Sequence, residues 1–188
     1  MGTDVPGEFR RAGPGDLPVL TELLTELCAG DRRRAAMAAR QAVRAGPAGH
    51  EGWVLPCGGV VAGFLALEPS AQPGFAVGAV DWIAVAPAAR RRGFGLCLLQ
   101  LARSRAVALG WRQLHASTFH TNRAALHLYI EAGFYPVGCL PDYAGPGLHY
   151  VELVWTAADG TAPVPAERRS VGRREPGRQP EGGEHRGG

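Results

Sequence analysis

Apolar positions along this chain switch repeatedly between helical spacing and alternation, and the switches lay out its elements. Glu8 to Arg11 can open a strand. Pro14-Gly15-Asp16 then breaks the chain and caps a helix, with Pro18 tolerated in its first turn. Leu20, Leu23, Leu24 and Leu27 follow at helical spacing, and Gly30 stops them. An Arg- and Ala-rich helix is expected from Asp31 to Ala45, ending at Gly46. Trp53 to Pro56, Cys57-Gly58-Gly59 and Val60 to Leu67 read as a hairpin. After a loop from Pro69 to Gly74, a strand runs from Ala79 to Val85 and stops at Pro87. Gly93 to Leu109 is a strong helix, with Leu98, Ala102, Ala106 and Leu109 as its apolar line. Gln113 to Phe119 is a strand and Ala124 to Ala132 a short helix closed by Gly133. Tyr135 to Leu140 and His149 to Trp155 finish as strands. Strand, long helix, strand demands a crossover and therefore a parallel pair. The last strands can pair antiparallel, so the expectation is a mixed α/β sheet of six to seven strands flanked by about four helices.

Composition changes this picture mainly at the end of the chain. Ala157 to Gly188 has no aromatic residue and only two Val among its larger aliphatics. Such a segment cannot bury enough apolar surface to offset its chain entropy. The division expected is a folded domain over residues 1–156, with its core from about residue 7, and a disordered tail over 157–188. Every one of the 20 basic residues is Arg, and the net charge is only +3, too mild to imply nucleic acid. The triplets Arg32–Arg34 and Arg90–Arg92 lack a recognition-helix pattern and read as solvated faces. No stretch approaches the roughly 20 apolar residues of a membrane span. The N-terminus has neither an apolar signal core nor a myristoylation pattern, which leaves the cytoplasm as the expected compartment. Cys28, Cys57, Cys97 and Cys139 are too far apart to nucleate a zinc site, and no metal is expected.

The chemistry concentrates in VDWIAVAPAARRRGFGL, Val80 to Leu96. A buried strand ends at Val85, a short loop follows, and Arg90-Arg91-Arg92-Gly93-Phe94-Gly95 opens a helix. Glycines there let the backbone approach a ligand. The free N–H groups and positive dipole end of a helix start suit phosphate or pyrophosphate. Three Arg add charge and forked contacts. A dinucleotide loop would need a third Gly where Leu98 stands, and a place near the chain start.

This stretch resembles the acyl-CoA binding motif of the GNAT superfamily of N-acetyltransferases, with Arg90, Gly93 and Gly95 in its key positions. A second segment, Asn122 to Phe134, resembles the family's Asn, Ala, Leu-Tyr, Gly-Phe signature. The opening FRRAGPGDLPVLTELL is similar to the family's first strand and helix, and the likeness spans residues 8 to 156. The resemblance implies the GNAT fold and an acetyl-CoA-dependent transfer to a primary amine by direct attack. It implies that acyl-CoA lies where two parallel strands diverge, with backbone groups of Ile83 and Val85 on the acyl carbonyl and pantetheine arm. It places the pyrophosphate on Arg91, Arg92, Gly93, Phe94, Gly95 and Leu96, the pantetheine near Asn122, and Tyr129 near the thiol sulfur as proton donor.

The expected base is missing. Ribosomal-protein N-terminal acetyltransferases, a similar branch, carry a Glu where this chain has Ser117. Asp81 is a substitute, an even number of residues from Ile83 and so expected on the same strand face. His120 is another, since an ordinary imidazole titrates in the right range. Removal of the proton through water is a third route. His115 shares a strand face with Ser117, and His127 reads as structural. Ser117 keeps a second class open, a GNAT-like module that binds acyl-CoA without turnover. Asp142 and Tyr143 in the loop Pro141 to Leu148 can meet an amine without naming it. The paucity of acidic clusters argues against a polycationic antibiotic as the substrate. A homodimer is the default assembly.

Overall fold

The computed structural model describes residues 7–44, 50–70 and 75–158. Their centre is a seven-stranded mixed sheet in the order β1-β2-β3-β4-β5-β7-β6. The strands are β1 (Arg10–Arg11), β2 (Glu51–Cys57), β3 (Val60–Pro69), β4 (Val77–Val85), β5 (Gln113–Phe119), β6 (Tyr135–Leu140) and β7 (Tyr150–Thr156). The helices are α1 (Leu17–Leu27), α2 (Arg32–Val43), α3 (Phe94–Ala108) and α4 (Arg123–Glu131). The expected mixed sheet with four helices is therefore present, its strands β4 and β5 forming the parallel pair. Most expected proposed element ends lie within two residues of those observed. The second helix stops at Val43, two residues before the expected end at Ala45, and residues 45–49 lie outside the described ones.

Each helix covers one side of the sheet for a local reason. Asp16 accepts the Gly13 N–H at 2.8 Å and takes a two-pronged contact from Arg10 at 2.7 and 2.8 Å, which anchors the start of α1. Asp31 caps α2 by accepting the Arg34 N–H at 3.0 Å. The small residues Ala35, Ala38 and Ala39 let α2 lie close, and with Leu20, Leu23 and Leu24 they cover Val54, Phe64, Ala66 and Ala84. The opposite face is filled by α3, whose Leu98, Leu99, Ala102 and Ala106 are fully buried against Leu65, Leu67, Leu114 and Leu153. Glu51 ties β2 to α3, meeting Arg105 at 2.6 Å and the Trp53 indole at 2.8 Å. Of the expected tail, residues 159–188 lie outside the described ones. Its first residue belongs to the folded body: Ala157 is buried and donates its N–H to the Arg112 carbonyl at 2.9 Å.

Two irregularities shape the region around β4. Parallel pairing with β5 covers only Val77–Gln113, Gly78–Leu114 and Ala79–His115. Beyond them β4 continues to Val85 and β5 to Phe119 without pairing, so the two strands part like the arms of a V. The second irregularity is a bulge. Ala66 faces Trp82 while Leu67 faces Val80, which leaves Asp81 as an extra residue in β4.

Candidate active site

The opening between β4 and β5 exposes backbone. Ala86 donates its N–H to the Ala62 carbonyl at 2.9 Å. Only alternate pairs of an antiparallel ladder exchange hydrogen bonds. Phe64–Ala84 and Ala66–Trp82 therefore do so, while Ile83 and Val85 turn their N–H and C=O away from β3. They face the gap where β5 has left. One of these groups has a partner already, since the Arg90 Nε donates to the Val85 carbonyl at 3.1 Å.

The loop after β4 aims donors at the same end of the gap. Arg91 and Gly93 have φ of 61° and 80°, so the chain turns left-handed twice within three residues. Glycine takes that conformation without the Cβ penalty at the second position. The first intrahelical bond of this turn runs from the Cys97 N–H to the Gly93 carbonyl at 3.1 Å. The N–H groups of Phe94, Gly95 and Leu96 thus have no acceptor inside α3. A Cβ on Gly95 would stand 2.8 Å from Leu128, so this glycine also lets α3 and α4 approach. The three Arg of the loop divide their work. Arg90 is turned back, reaching Glu26 on α1 at 2.5 Å as well as the Val85 carbonyl, and its hydrogen bond, with its charge in support, holds the Glu26 carboxyl below its ordinary pKa. Arg91 is exposed, and Arg92 lies over the Phe94 ring at 5.1 Å.

Tyr129 and Asn122 both belong to α4. Tyr129 is buried edge-on to Phe134, with ring centres 5.3 Å apart, and burial pushes its phenol well above the ordinary pKa. It is therefore protonated at neutral pH. Asn122 caps α4, its side-chain oxygen accepting the Ala125 N–H at 3.2 Å.

On the sheet face beyond α1 and α2 lies a cavity of about 240 Å³ lined by Glu68, Asp81, His115, Ser117 and Glu152, with Ala79, Val80 and Ala116. The bulge sets its chemistry. Ile83 packs on the α3 side, Trp82 on the α1 side. Asp81 is the inserted residue, and even spacing no longer puts it on the face of Ile83; it joins the cavity instead. Loss of water around the Asp81 carboxyl, and the negative charge of Glu68, push its pKa up to about 6, although a hydrogen bond from Trp82 pulls the other way. A carboxylate in that range is ionised at pH 7 and still basic enough to take a proton.

The other expected bases are placed differently. His115 lines the cavity and approaches Gln113 at 3.4 Å. His120 lies outside that lining, held at the end of β5 by contacts of 3.3 Å between its Nδ1 and the backbone of His149, whose ring it faces at 4.7 Å. Asp142 accepts the Gly147 N–H at 2.7 Å and donates its own N–H to His149, so the loop 141–148 is bound to itself. His127 is on the exposed side of α4, 3.9 Å from Glu131. Sequence reasoning missed Glu68 and Glu152. Glu152 stands directly across from Ser117 in the β5–β7 ladder, so a carboxylate borders the place where the side chain of residue 117 is only a hydroxyl. The one signal for it was a polar residue in an otherwise apolar strand.

Residues 18–134 match the model of the acetyltransferase (GNAT) family. No curated protein matches the chain in sequence. Solved structures share the fold at low identity. A GCN5-related N-acetyltransferase from Kribbella flavida is 22% identical with a TM-score of 0.69, over 80% of this chain and 97% of that one. A ribosomal-protein-alanine N-acetyltransferase from Brucella melitensis is 22% identical with a TM-score of 0.68, over 80% and 100%. A Salmonella typhimurium protein solved with its cofactor acetyl-CoA is 20% identical with a TM-score of 0.68, over 83% and 96%.

Proposed function

The chain belongs to the GNAT acetyltransferase family, and from that premise we propose that it carries an acetyl group from acetyl-CoA to a primary amine, on a protein N-terminus, a lysine or a small molecule. The observation that carries this reading is the parting of β4 and β5, with the backbone of Ile83 and Val85 turned into the gap and the donors of Phe94 to Leu96 at its end.

Acetyl-CoA supplies the thioester carbon for the amine and the thiolate that leaves. The remaining work falls to the chain. The N–H groups of the loop Arg91 to Leu96 hold pyrophosphate through the backbone and the helix dipole, with Arg91 and Arg92 adding charge. The Ile83 N–H donates to the carbonyl oxygen as it gains negative charge. Asp81 takes the proton of the ammonium, directly or through one water, and so presents a neutral amine. Tyr129 returns a proton to the departing sulfur. Holding both reactants in one cleft supplies much of the remaining rate. His120 serves a lesser part in this reading, as an anchor between β5 and β7.

Ser117 also favours a module that binds acyl-CoA and does not turn it over, but three carboxylates line the cavity it shares, Glu152 directly across from it. Calorimetric titration with acetyl-CoA, followed by thiol release across a panel of amines and N-terminal peptides, separates the two. Binding with thiol release from at least one amine class is expected. Binding without release from any of them contradicts the transferase.

A further inference from the structure

The far edge of the sheet is unlike the rest of the molecule. β6 is the last strand in the order, and all six of its residues, Tyr135 to Leu140, are exposed. Of the ten large apolar side chains left exposed among the described residues, five lie between Tyr135 and Leu148. Asp142 is the one charged residue from Ala132 to Leu148, although 20% of the chain is charged. Edge strands that must stay alone carry charges that ward off other strands. β6 has none, and its one guard is Pro136, beside a bulge.

The free edge carries unused backbone groups. The Ala157 N–H donates to the Arg112 carbonyl at 2.9 Å and the His120 N–H to the His149 carbonyl at 3.0 Å, so the odd-numbered residues of β7 bond to β5. The even-numbered ones, Tyr150, Glu152 and Val154, bond to β6, where they face Leu140, Gly138 and Tyr135. Cys139 is thereby left with its N–H and C=O turned outward, and among the described residues no strand follows on that side. Gly138 adds a gap. Its φ is not positive and a Cβ there would meet nothing within 4 Å, so neither backbone conformation nor crowding inside the chain calls for glycine.

We propose that the outer edge of β6 is a dimer interface, taken by β6 of a second copy of this chain, antiparallel across a two-fold axis at Cys139. That register lets Cys139 of each copy exchange N–H···O=C bonds with its twin. It sets Leu140 of each copy across from Gly138 of the other, and so fills the gap with a branched apolar side chain. Pro136, which has no N–H to give, faces Asp142 beyond the ends of the paired segment. The same patch thus meets itself, as a two-fold interface requires. Tyr135, Val137, Leu140, Tyr143 and Leu148, exposed by 39 to 65%, offer roughly 500 Å² per copy, and two copies bring about 1,000 Å², the size at which a specific interface becomes stable. A partner recognised by charge would find only Asp142 there. The pairing does not rest on the transfer reaction proposed above.

The test is the mass of the full chain by sedimentation velocity at about 1 to 100 μM, with reductant present so that the exposed Cys139 thiol forms no disulfide. A dimer is expected in the upper part of that range. Val137→Glu sets like charges near the axis, and Gly138→Leu fills the place of the incoming Leu140. Each is expected to weaken dimerisation at least about tenfold, with circular dichroism showing that the variant is folded. Val60→Glu, beside the β2–β3 turn and 67% exposed, is expected to leave the dimer intact. A monomer at every concentration overturns the proposal and leaves the patch to a different protein. A dimer untouched by both β6 variants overturns it as well, since the copies would then meet elsewhere. Amide shifts of the unmodified protein on dilution need no variant: Gly138 and Cys139 are expected to move as the dimer parts, and stillness there contradicts the interface.

Discussion

The loop after β4 and the acidic cavity lie along one strand and are built by opposite means. The loop is seven consecutive residues, Arg90 to Leu96, and the groups it presents are backbone N–H donors set by two left-handed residues and a helix start. The cavity draws its polar side chains from β3, β4, β5 and β7, and the charged groups it presents are carboxylates. Even the arginines follow this division: Arg90 is spent on Val85 and Glu26, holding the turn rather than offering charge to a ligand. A site made of backbone is sensitive to changes in conformation and indifferent to most side chains. A site made of side chains has the converse sensitivities. The two halves of the cleft should therefore fail separately.

The largest effects are expected on the chemical step. Tyr129→Phe keeps the ring against Phe134 and removes the proton, and Asp81→Asn keeps the size and removes the base. Each should lower the single-turnover rate by about 100-fold or more, with acetyl-CoA affinity unchanged. Asp81→Asn should also abolish the fall in rate expected of the unmodified protein as pH drops through about 6, where the carboxylate becomes protonated. Wild-type rates for Tyr129→Phe in single turnovers would leave solvent as the proton donor. Loss of acetyl-CoA binding in folded Asp81→Asn would break the separation of the two halves.

Next in size is the converse change. Gly93→Val forces a β-branched residue to a φ of 80°, at a cost of about 1–2 kcal/mol or a displaced turn. Acetyl-CoA affinity should fall about tenfold or more. The cavity of Asp81 and Glu152 should keep its geometry, which unchanged amide shifts of Asp81, Ser117 and Glu152 would show.

A smaller effect concerns stability and has a definite sign. The Asp81 carboxyl titrates near its ordinary value of 3.8 when unfolded and at about 6 when folded. The folded state therefore holds that proton more tightly. Stability is lost as pH rises through this window, and the loss is complete above about 6. Asp81→Asn should melt higher than the unmodified protein at pH 7.5, with the gain vanishing toward pH 4. Thermal melting at the two pH values checks it, and a gain that grows at low pH would contradict the site's electrostatics. The smallest effect is expected from Arg91→Ala and Arg92→Ala, a few-fold loss of acetyl-CoA affinity that disappears in high salt.

How much of this was legible in the sequence follows the same division. Gly93 and Gly95 are contiguous with the helix that they start, so the loop could be read from local spacing alone. The elements themselves were legible because each switches cleanly between helical spacing and alternation, as from Val77–Val85 to Phe94–Ala108. Register was not legible. The bulge at Asp81 is a property of how β3 meets β4, and it moves that carboxyl off the face which even spacing assigns. The pairing of Ser117 with Glu152 depends on β7 entering beside β5 ahead of β6, a fact of topology that no local pattern carries. The side chain of Arg90 fits a phosphate motif by position, but its partner Glu26 lies 64 residues away.

The account's central claim is that the parted strands hold acetyl-CoA through the backbone. Amide chemical shifts of the labelled protein, followed during titration with acetyl-CoA, test it most directly. The predicted result is that the amides of Ile83, Val85 and Arg91 to Leu96 move together and saturate at one equivalent, while those of Gln100, Ser104 and Thr156, around the other large surface cavity, stay still. Shifts confined to that second cavity, or saturation with the amides of Ile83 and Phe94 to Leu96 unmoved, would contradict it.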